Sequence, residues 1–512
     1  MFSKALKSIY IIYKEIFSKL SFSGIKRLTT FFTFAFKLSL YVWFENKDFL
    51  TKNHAVFSIA EKFDPLLKLP KPEREVKRAK WVLEQILELG STFIKLGQIL
   101  STRADLIPLT YMKEFAKLQD EVPPFDDELA FKTIQEELKK PLTSVFSEID
   151  KTSLAAASLG QVYRARLLDS NKEVIIKVQR PDLRDTIEQD IFILKAISKE
   201  ASKYPELVRG TDFESLLNEF LKVLYEEIDY LQEGKSCDLF RKNFKGYYRV
   251  YVPKVYWQYT TRKVITLEYI KGYKITEKEK MLAAGMNLKE ITREGCSIYL
   301  KQLLTDGFFH ADPHPGNLRI MKDGRLAFFD FGMVGHVSKE LQIKLINTMI
   351  HLISKDYRGV VEDFAGMGLL DKDSTNLDDV AKDIKPLYDA RFESDNETSF
   401  KQILEDMAEI VYKYKFRLPV ELALIIRALL TLEGLGHSLD PDFNVIRAFI
   451  PFIQRYMFTK EGAWIREHIT DKLFSGTLGL QNPDLILKNN QIIYEEIIGD
   501  FKSKLIEVVS YN

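Results

Sequence analysis

Two short stretches hold residue types that can do chemistry at useful spacings. In His310-Ala-Asp-Pro-His-Pro-Gly-Asn317, Asp312 precedes Asn317 by five positions, and Asp330-Phe331-Gly332 follows at the end of the apolar run Leu326-Ala-Phe-Phe-Asp330. Phosphoryl transfer needs a carboxylate that orients a nucleophile and an amide oxygen that reaches a divalent cation. It also needs a second carboxylate, delivered by a strand to metal-bridged phosphates. Each piece alone is weak, since a His/Asp cluster could equally be a metal site. In this order and spacing they are strong. Upstream, Val174-Ile-Ile-Lys-Val178 places one lysine in an otherwise apolar strand, where its charge is costly without an anion beside it. Lys177 therefore asks for such a partner, unless it is a surface lysine whose stem lies along apolar neighbours.

These residues need elements to position them. Ser153–Val178 and Tyr251–Ile270 are rich in β-branched and aromatic residues with turn signals between, which predicts the strands of a small sheet. Ahead of Lys177, the run Ala155-Ala156-Ala157-Ser158-Leu-Gly160-Gln-Val162 overlays the phosphate-loop pattern G-x-G-x-x-G-x-V, with alanine for the first two glycines. Alanine's Cβ narrows the accessible backbone range, so this loop is expected to be stiffer and set differently over a nucleotide. An ordinary alanine-rich turn would explain the alanines but not the register of Gly160, Val162 and Lys177. Pro65–Pro72 marks a linker, Arg74–Lys117 reads as helices broken at Pro108, and from Leu282 onward helical periodicity dominates apart from Asp306–Gly335. A small sheet followed by a large helical body outlines an α+β, bilobal, protein-kinase-like fold. Its expected parts are N-terminal helices over 1–60, a helical extension over 61–145, an N-lobe over 146–270, a C-lobe over 271–455 and a helical tail over 456–512.

Composition narrows the classes. With 512 residues, 46% hydrophobic and 29% charged, the chain is close to globular averages, neither disordered nor a polytopic membrane protein. A net charge of +1 offers no global field for nucleic acid. Cys237 and Cys296 are the only cysteines, so neither a disulfide framework nor a cysteine metal site can be built, and a reducing compartment is expected. No short apolar run ends in a small-residue cleavage site, so a removable signal peptide is not expected.

Charge is concentrated at the start. Residues 1–47 hold eight Lys/Arg against Glu15 and Glu45, a local net of 8 − 2 = +6. Phe2, Leu6, Ile9, Tyr13, Ile16 and Leu20 form one helical stripe flanked by lysines, which fits a membrane-surface helix or one lying on the protein's own body. Leu28–Phe44 is short for a span and contains Lys37, which favours an in-plane or packed helix. Val420–Gly436 carries Glu421, Arg427 and Glu433, each costly in lipid, and is expected to be a buried core helix.

Together the motifs resemble the UbiB-type atypical kinases, which support ubiquinone biosynthesis. Lys95-Leu-Gly-Gln98 is similar to that family's K-x-G-Q signature, and Glu227-Ile-Asp229 to its E-x-D motif. Ser101–Pro108, Leu118–Pro124, the alanine loop and Leu432–Pro441 add to the likeness, which covers roughly residues 60–450. The resemblance implies a helix bearing Lys95 and Gln98 across the mouth of the active site, Lys95 paired with Glu227, and Lys177 paired with Glu233. Glu227 and Glu233 are six residues apart, about 120° apart on a single helix, so they could serve different lysines. It further implies Asp312, Lys177, Lys95, Gln98, Glu227, Asp229 and Glu233 as catalytic residues. Ala155, Ala156, Ala157, Ser158, Gly160, Val162, Lys177, Glu268 and Tyr269 would contact ATP, and Asn317 and Asp330 would hold Mg²⁺.

After Gly332 the chain runs into the helix-like Ser338–Ile350 without an A-P-E motif, so the usual platform for a protein substrate is missing. ATP hydrolysis or action on a small, lipid-like molecule is expected instead. The implied partners are ATP, lipid-like quinone precursors, a membrane surface and quinone-biosynthesis enzymes, with no nucleic acid. The expected location is peripheral, on the cytoplasmic face of the inner membrane, since residues 455–512 show no pair of spans. A small-molecule phosphotransferase of the aminoglycoside or choline kinase type shares the H-x-D-x-H-P-x-N loop but lacks the K-x-G-Q extension. An ATP-gated scaffold for biosynthetic enzymes is the non-enzymatic alternative.

Overall fold

The structure is a computed structural model that describes residues 22–45, 64–101, 103, 106–119, 124–201, 213–353, 355–392, 399–414 and 416–457. The expected amphipathic helix over residues 2–20 lies outside the described residues, as does the tail from residue 458. The fold is mixed α+β with small antiparallel sheets. It forms two compact units. The first comprises the chain through Tyr247 with Tyr251–Lys271 and Ala327–Met333; the second comprises Tyr248–Val250, Gly272–Leu326 and the chain from Val334.

Among the described residues of the first unit, the chain opens with α1 (Phe22–Glu45), α2 (Lys71–Leu89), α3 (Ser91–Leu100) and α4 (Leu109–Phe115). Leu28, Phe31 and Phe32 of α1 close on Val82, Ile86 and Leu89 of α2 and Phe93 and Ile94 of α3, so the apolar segment 28–44 is a packed helix. Sequence places one break, at Pro108; a second lies at Gly90, whose φ of +83° ends α2 and starts α3. Helix α5 (Asp127–Leu138), capped by Asp126, lays Ala130 and Ile134 on the sheet.

That sheet contains β1 (Phe146–Ile149), β2 (Ala155–Ala156), β3 (Gly160–Leu167), β4 (Glu173–Gln179) and β5 (Val264–Glu268). The order is β1-β3-β4-β5, all antiparallel, with β2 folded back on β3. Alternation puts Tyr163, Ala165, Val174, Ile176 and Val178 into the core. Val162 lies opposite Lys177 in the ladder, so Gly160, Val162 and Lys177 share the other face. Three helices follow β4 in sequence: α6 (Leu183–Ala201), α7 (Phe213–Glu227) and α8 (Tyr230–Asn243). Glu227 and Glu233 therefore lie on two helices rather than one, because Asp229 stops the first and caps the second, accepting from the Leu231 N–H at 3.0 Å.

The second unit is mainly helical: α9 (Lys278–Ala283), α10 (Leu288–Lys301), α11 (Lys339–Ile353), α12 (Tyr357–Gly366), α13 (Leu377–Phe392), α14 (Phe400–Lys413), α15 (Val420–Leu439) and α16 (Val445–Met457). Short strands carry its polar loop: β6 (Tyr273–Lys274) pairs with β8 (Leu318–Ile320), and β7 (Phe308–His310) with β9 (Val334–His336). Helix α15 is long and apolar enough to cross a membrane by length and composition. Its Leu422, Ile425 and Ala428 nevertheless join Tyr299, Leu303, Phe309 and Ile346 in the core. Its buried Glu433 accepts the Phe400 and Lys401 N–H groups at 2.8 and 3.0 Å, at the start of α14.

Candidate active site

In the first unit the chemistry gathers around Lys177. Strand β4 delivers its ammonium to both oxygens of Glu233 at 3.0 Å and to Asp330 Oδ2 at 3.1 Å. Glu233 comes from α8 and is almost fully buried. Asp330 follows an apolar run and sits at φ +68°, a left-handed conformation that aspartate tolerates better than most residues, with its Oδ1 accepting the Gly332 N–H at 3.2 Å. Phe331 rests its ring 5.1 Å from Phe240 on α8, so the helix bearing Glu233 also anchors the turn bearing Asp330.

The electrostatics follow from burial and charge. Burial works against the Lys177 ammonium, but the Asp330 and Glu233 carboxylates outweigh it and hold the group well above the usual lysine range. Burial also opposes charge on Asp330, yet Lys177 and the Gly332 N–H pull its carboxyl down to about 2. For Glu233 burial wins over Lys177, and with Asp330's negative charge nearby its carboxyl is pushed up to about 7. Lys177 thus serves two carboxylates pushed in opposite directions, Asp330 down and Glu233 up.

Helix α3 brings Lys95 to within 2.5 Å of Glu227 Oε1. Burial pushes the Glu227 carboxyl up, opposed by that lysine. Gln98, one turn further along α3, faces elsewhere: it is buried in the helical extension and its amide donates to Leu118 O at 2.9 Å. Asp229 caps α8 as described, with Arg262 Nε 3.9 Å from its Oδ2. Glu268 accepts from the Tyr251 hydroxyl at 2.7 Å, while the N–H groups of Glu268 and Tyr269 donate to Lys254 O and Glu173 O. Neither of those amides is a free donor for a base.

The alanine run is a hairpin. Ala155 and Ala156 pair with Val162 and Gln161, and the Ala157 N–H closes the turn on Gly160 O at 2.8 Å. Two side chains fasten it: Ser91 Oγ donates to Ser158 O at 2.6 Å and Arg180 Nη2 to Ala157 O at 3.2 Å. At Gly160 a Cβ would meet Val178 O at 2.3 Å, so glycine is required there for close packing as well as for any approach of phosphate.

In the second unit Asp312 and Asn317 lie on the loop between β7 and β8. His310 is fully buried, with its Nδ1 accepting the Asp312 N–H at 3.2 Å and its carbonyl accepting the Tyr299 hydroxyl at 3.0 Å. His314 Nδ1 accepts the Gly316 N–H. Asn317 donates its amide nitrogen to Asp312 O at 3.1 Å, which turns its Oδ1, the atom a cation would use, the other way. Arg427 of α15 donates to Asp312 Oδ1 at 2.9 Å and orients the carboxylate. Sequence reading treats Arg427 only as a sign of a core helix; the signal for more was a lone buried cation, which demands an anion as Lys177 does. Its partner, 115 residues away, was not legible.

In the first unit Lys177 offers a positive charge suited to phosphate and Asp330 a carboxylate suited to a hard cation; in the second, Asn317 offers an amide oxygen. Among the described residues no group of three His, Cys, Asp or Glu is placed to hold a metal ion.

Comparison with known proteins places the chain in a family. Residues 117–364 match the model of the ABC1 atypical kinase-like domain and residues 384–444 that of the UbiB helical domain. The chain is 42% identical over 399 residues to the Synechocystis protein slr1919, covering 78% of this chain and 70% of that one. It is 38% identical over 405 residues to the chloroplastic protein ACTIVITY OF BC1 COMPLEX KINASE 3 of Arabidopsis thaliana, covering 78% of this chain and 56% of that protein. A solved structure, the complex of Rv3197 with erythromycin from Mycobacterium tuberculosis, aligns with a TM-score of 0.45 at 22% identity over 72% of this chain and 96% of that one. From the family-model matches and the 42% identity to slr1919, the chain belongs to the ABC1/UbiB family of atypical kinase-like proteins.

Proposed function

We propose that this protein binds Mg-ATP and turns it over as an atypical kinase or ATPase that supports isoprenoid quinone biosynthesis, ubiquinone in particular, at a membrane surface. The observation that carries the reading is the Lys177 ammonium held between Glu233 and Asp330. Lys177 would hold the α- and β-phosphates, kept in place by Glu233, and Asp330 and Asn317 would hold Mg²⁺. The cation supplies charge neutralisation on the phosphates. Asp312, oriented by Arg427, would align the attacking oxygen of water or a small acceptor. The alanine hairpin, fastened by Ser91 and Arg180, would cover the phosphates with little freedom.

Water or a small lipid-like acceptor suits this chain better than a protein. The A-P-E motif is missing from its sequence, and the Lys95–Glu227 pair ties the extension helix to α7. That pair also favours this reading over an aminoglycoside- or choline-kinase-type phosphotransferase. The +6 segment over residues 1–47 supports a peripheral position on the cytoplasmic face of the inner membrane, beside quinone precursors and the enzymes that process them. The test is phosphate release from Mg-ATP by the purified chain, with and without anionic liposomes carrying a phenolic quinone precursor. Release that rises with the loaded liposomes is expected; no release under either condition would leave the scaffold reading in its place.

A further inference from the structure

Tyr230 is the first residue of α8, one turn before Glu233, and its side chain is 1% exposed. Its ring lies 5.2 Å from Lys177 Nζ. Its hydroxyl is buried and makes no hydrogen bond. The hydroxyl also lies close under the hairpin, since a Cβ on Gly160 would come within 2.6 Å of it. Gly160, Val162 and Lys177 share one face of the sheet, so the Tyr230 ring beside the ammonium and its hydroxyl beside Gly160 lie on the face that carries the lysine.

A buried hydroxyl without a partner is costly, and phenylalanine would offer Lys177 the same ring without that cost. Such a donor calls for an acceptor, and an anion drawn to the Lys177 ammonium beside the ring would be one. Burial, opposed by Lys177 and reinforced by Glu233 and Asp330, pushes the phenol up, so it remains a protonated donor at any working pH.

We propose that the Tyr230 hydroxyl is a phosphate-binding donor: it hydrogen-bonds a phosphate oxygen of the nucleotide on Lys177 and favours phosphorylated nucleotides over the bare nucleoside. The inference rests on the nucleotide reading above. It assigns the tyrosine to binding rather than to packing alone.

The experiment compares the full-length chain with Tyr230→Phe, measuring thermal melts without ligand and affinities for Mg-ATP, Mg-ADP and adenosine. Tyr230→Phe should melt at the same or a higher temperature. Its affinity for both phosphorylated nucleotides should fall about tenfold, as expected for one lost hydrogen bond to a charged acceptor, with adenosine unchanged. Equal Mg-ATP affinity in both proteins, or an equal loss for adenosine, would overturn the inference while leaving the nucleotide reading intact. A wild-type chain that binds no Mg-ATP would overturn both. If Tyr230→Phe does not fold, Tyr230→His, which keeps a ring and an N–H donor, should bind Mg-ATP more tightly than Tyr230→Leu; equal affinities in that pair would overturn it.

Discussion

Around Lys177 three charges meet, and the carboxylates there do not share the load equally. Asp330 is held down to about 2, whereas Glu233 is pushed up to about 7 from an ordinary 4.5. A group raised in the folded state contributes stability that is fully present below its unfolded value and is lost as pH rises through the folded one. Glu233 should therefore cost stability between pH 4.5 and about 7 as it ionises. Melts across that window should fall more steeply for the wild type than for Glu233→Gln, which cannot ionise; parallel curves would contradict the assignment. Asp330 works the other way, in a separate window below its ordinary 3.8. What was legible at this scale was need rather than partner. A lysine in an apolar strand and an arginine in an apolar helix each announce a buried anion, but only the fold brings Asp330 to Lys177 and Asp312 to Arg427. Gln98 shows the reverse: a residue carried over with its motif is turned into the extension's interior, toward Leu118 O.

At the scale of elements, the least expected feature is how α1 is fixed. Asp190 on α6 is fully buried, and its counter-charge is Arg27 of α1, which binds both its oxygens and also donates to Leu89 O at 2.8 Å, one residue before the Gly90 turn. Breaking such a pair from one side strands a buried charge, whereas replacing both members by apolar residues is often nearly neutral. Arg27→Met should cost about 3–5 kcal/mol, and Arg27→Met/Asp190→Leu should recover most of that, read by denaturant unfolding. A single variant as stable as the wild type would show that Asp190 has another counter-charge. Helix α1 was legible as an apolar segment with basic neighbours, a pattern shared by surface-seeking and core helices. Arg27 reads as one more of the eight basic residues, although it is committed to a buried partner. The break at Gly90 and the split between Glu227 and Glu233 were missed because both depend on single residues, a glycine at positive φ and an aspartate cap, inside otherwise helical stretches.

For the whole molecule, membership of the ABC1/UbiB family joins the two sets of residues in one chain: Lys177, Glu233 and Asp330 in the first unit, and Asp312, Asn317 and Arg427 in the second. The α+β class and the order of sheet before helices were legible from the change of periodicity. The long apolar α15 was legible as a core helix because its charged residues demanded partners that a bilayer does not supply. Under the proposed function this scaffold takes a metal-bound nucleotide, with Asp330 as the carboxylate that would meet the metal. Calorimetric titration of the wild type and Asp330→Asn with ATP, in the presence and absence of Mg²⁺, tests it most directly. The wild type should bind ATP tightly only with Mg²⁺, and Asp330→Asn should lose that Mg²⁺-dependent affinity at least about tenfold, since a neutral amide replaces an anionic ligand. Equal Mg-ATP affinity in the two proteins would contradict the claim.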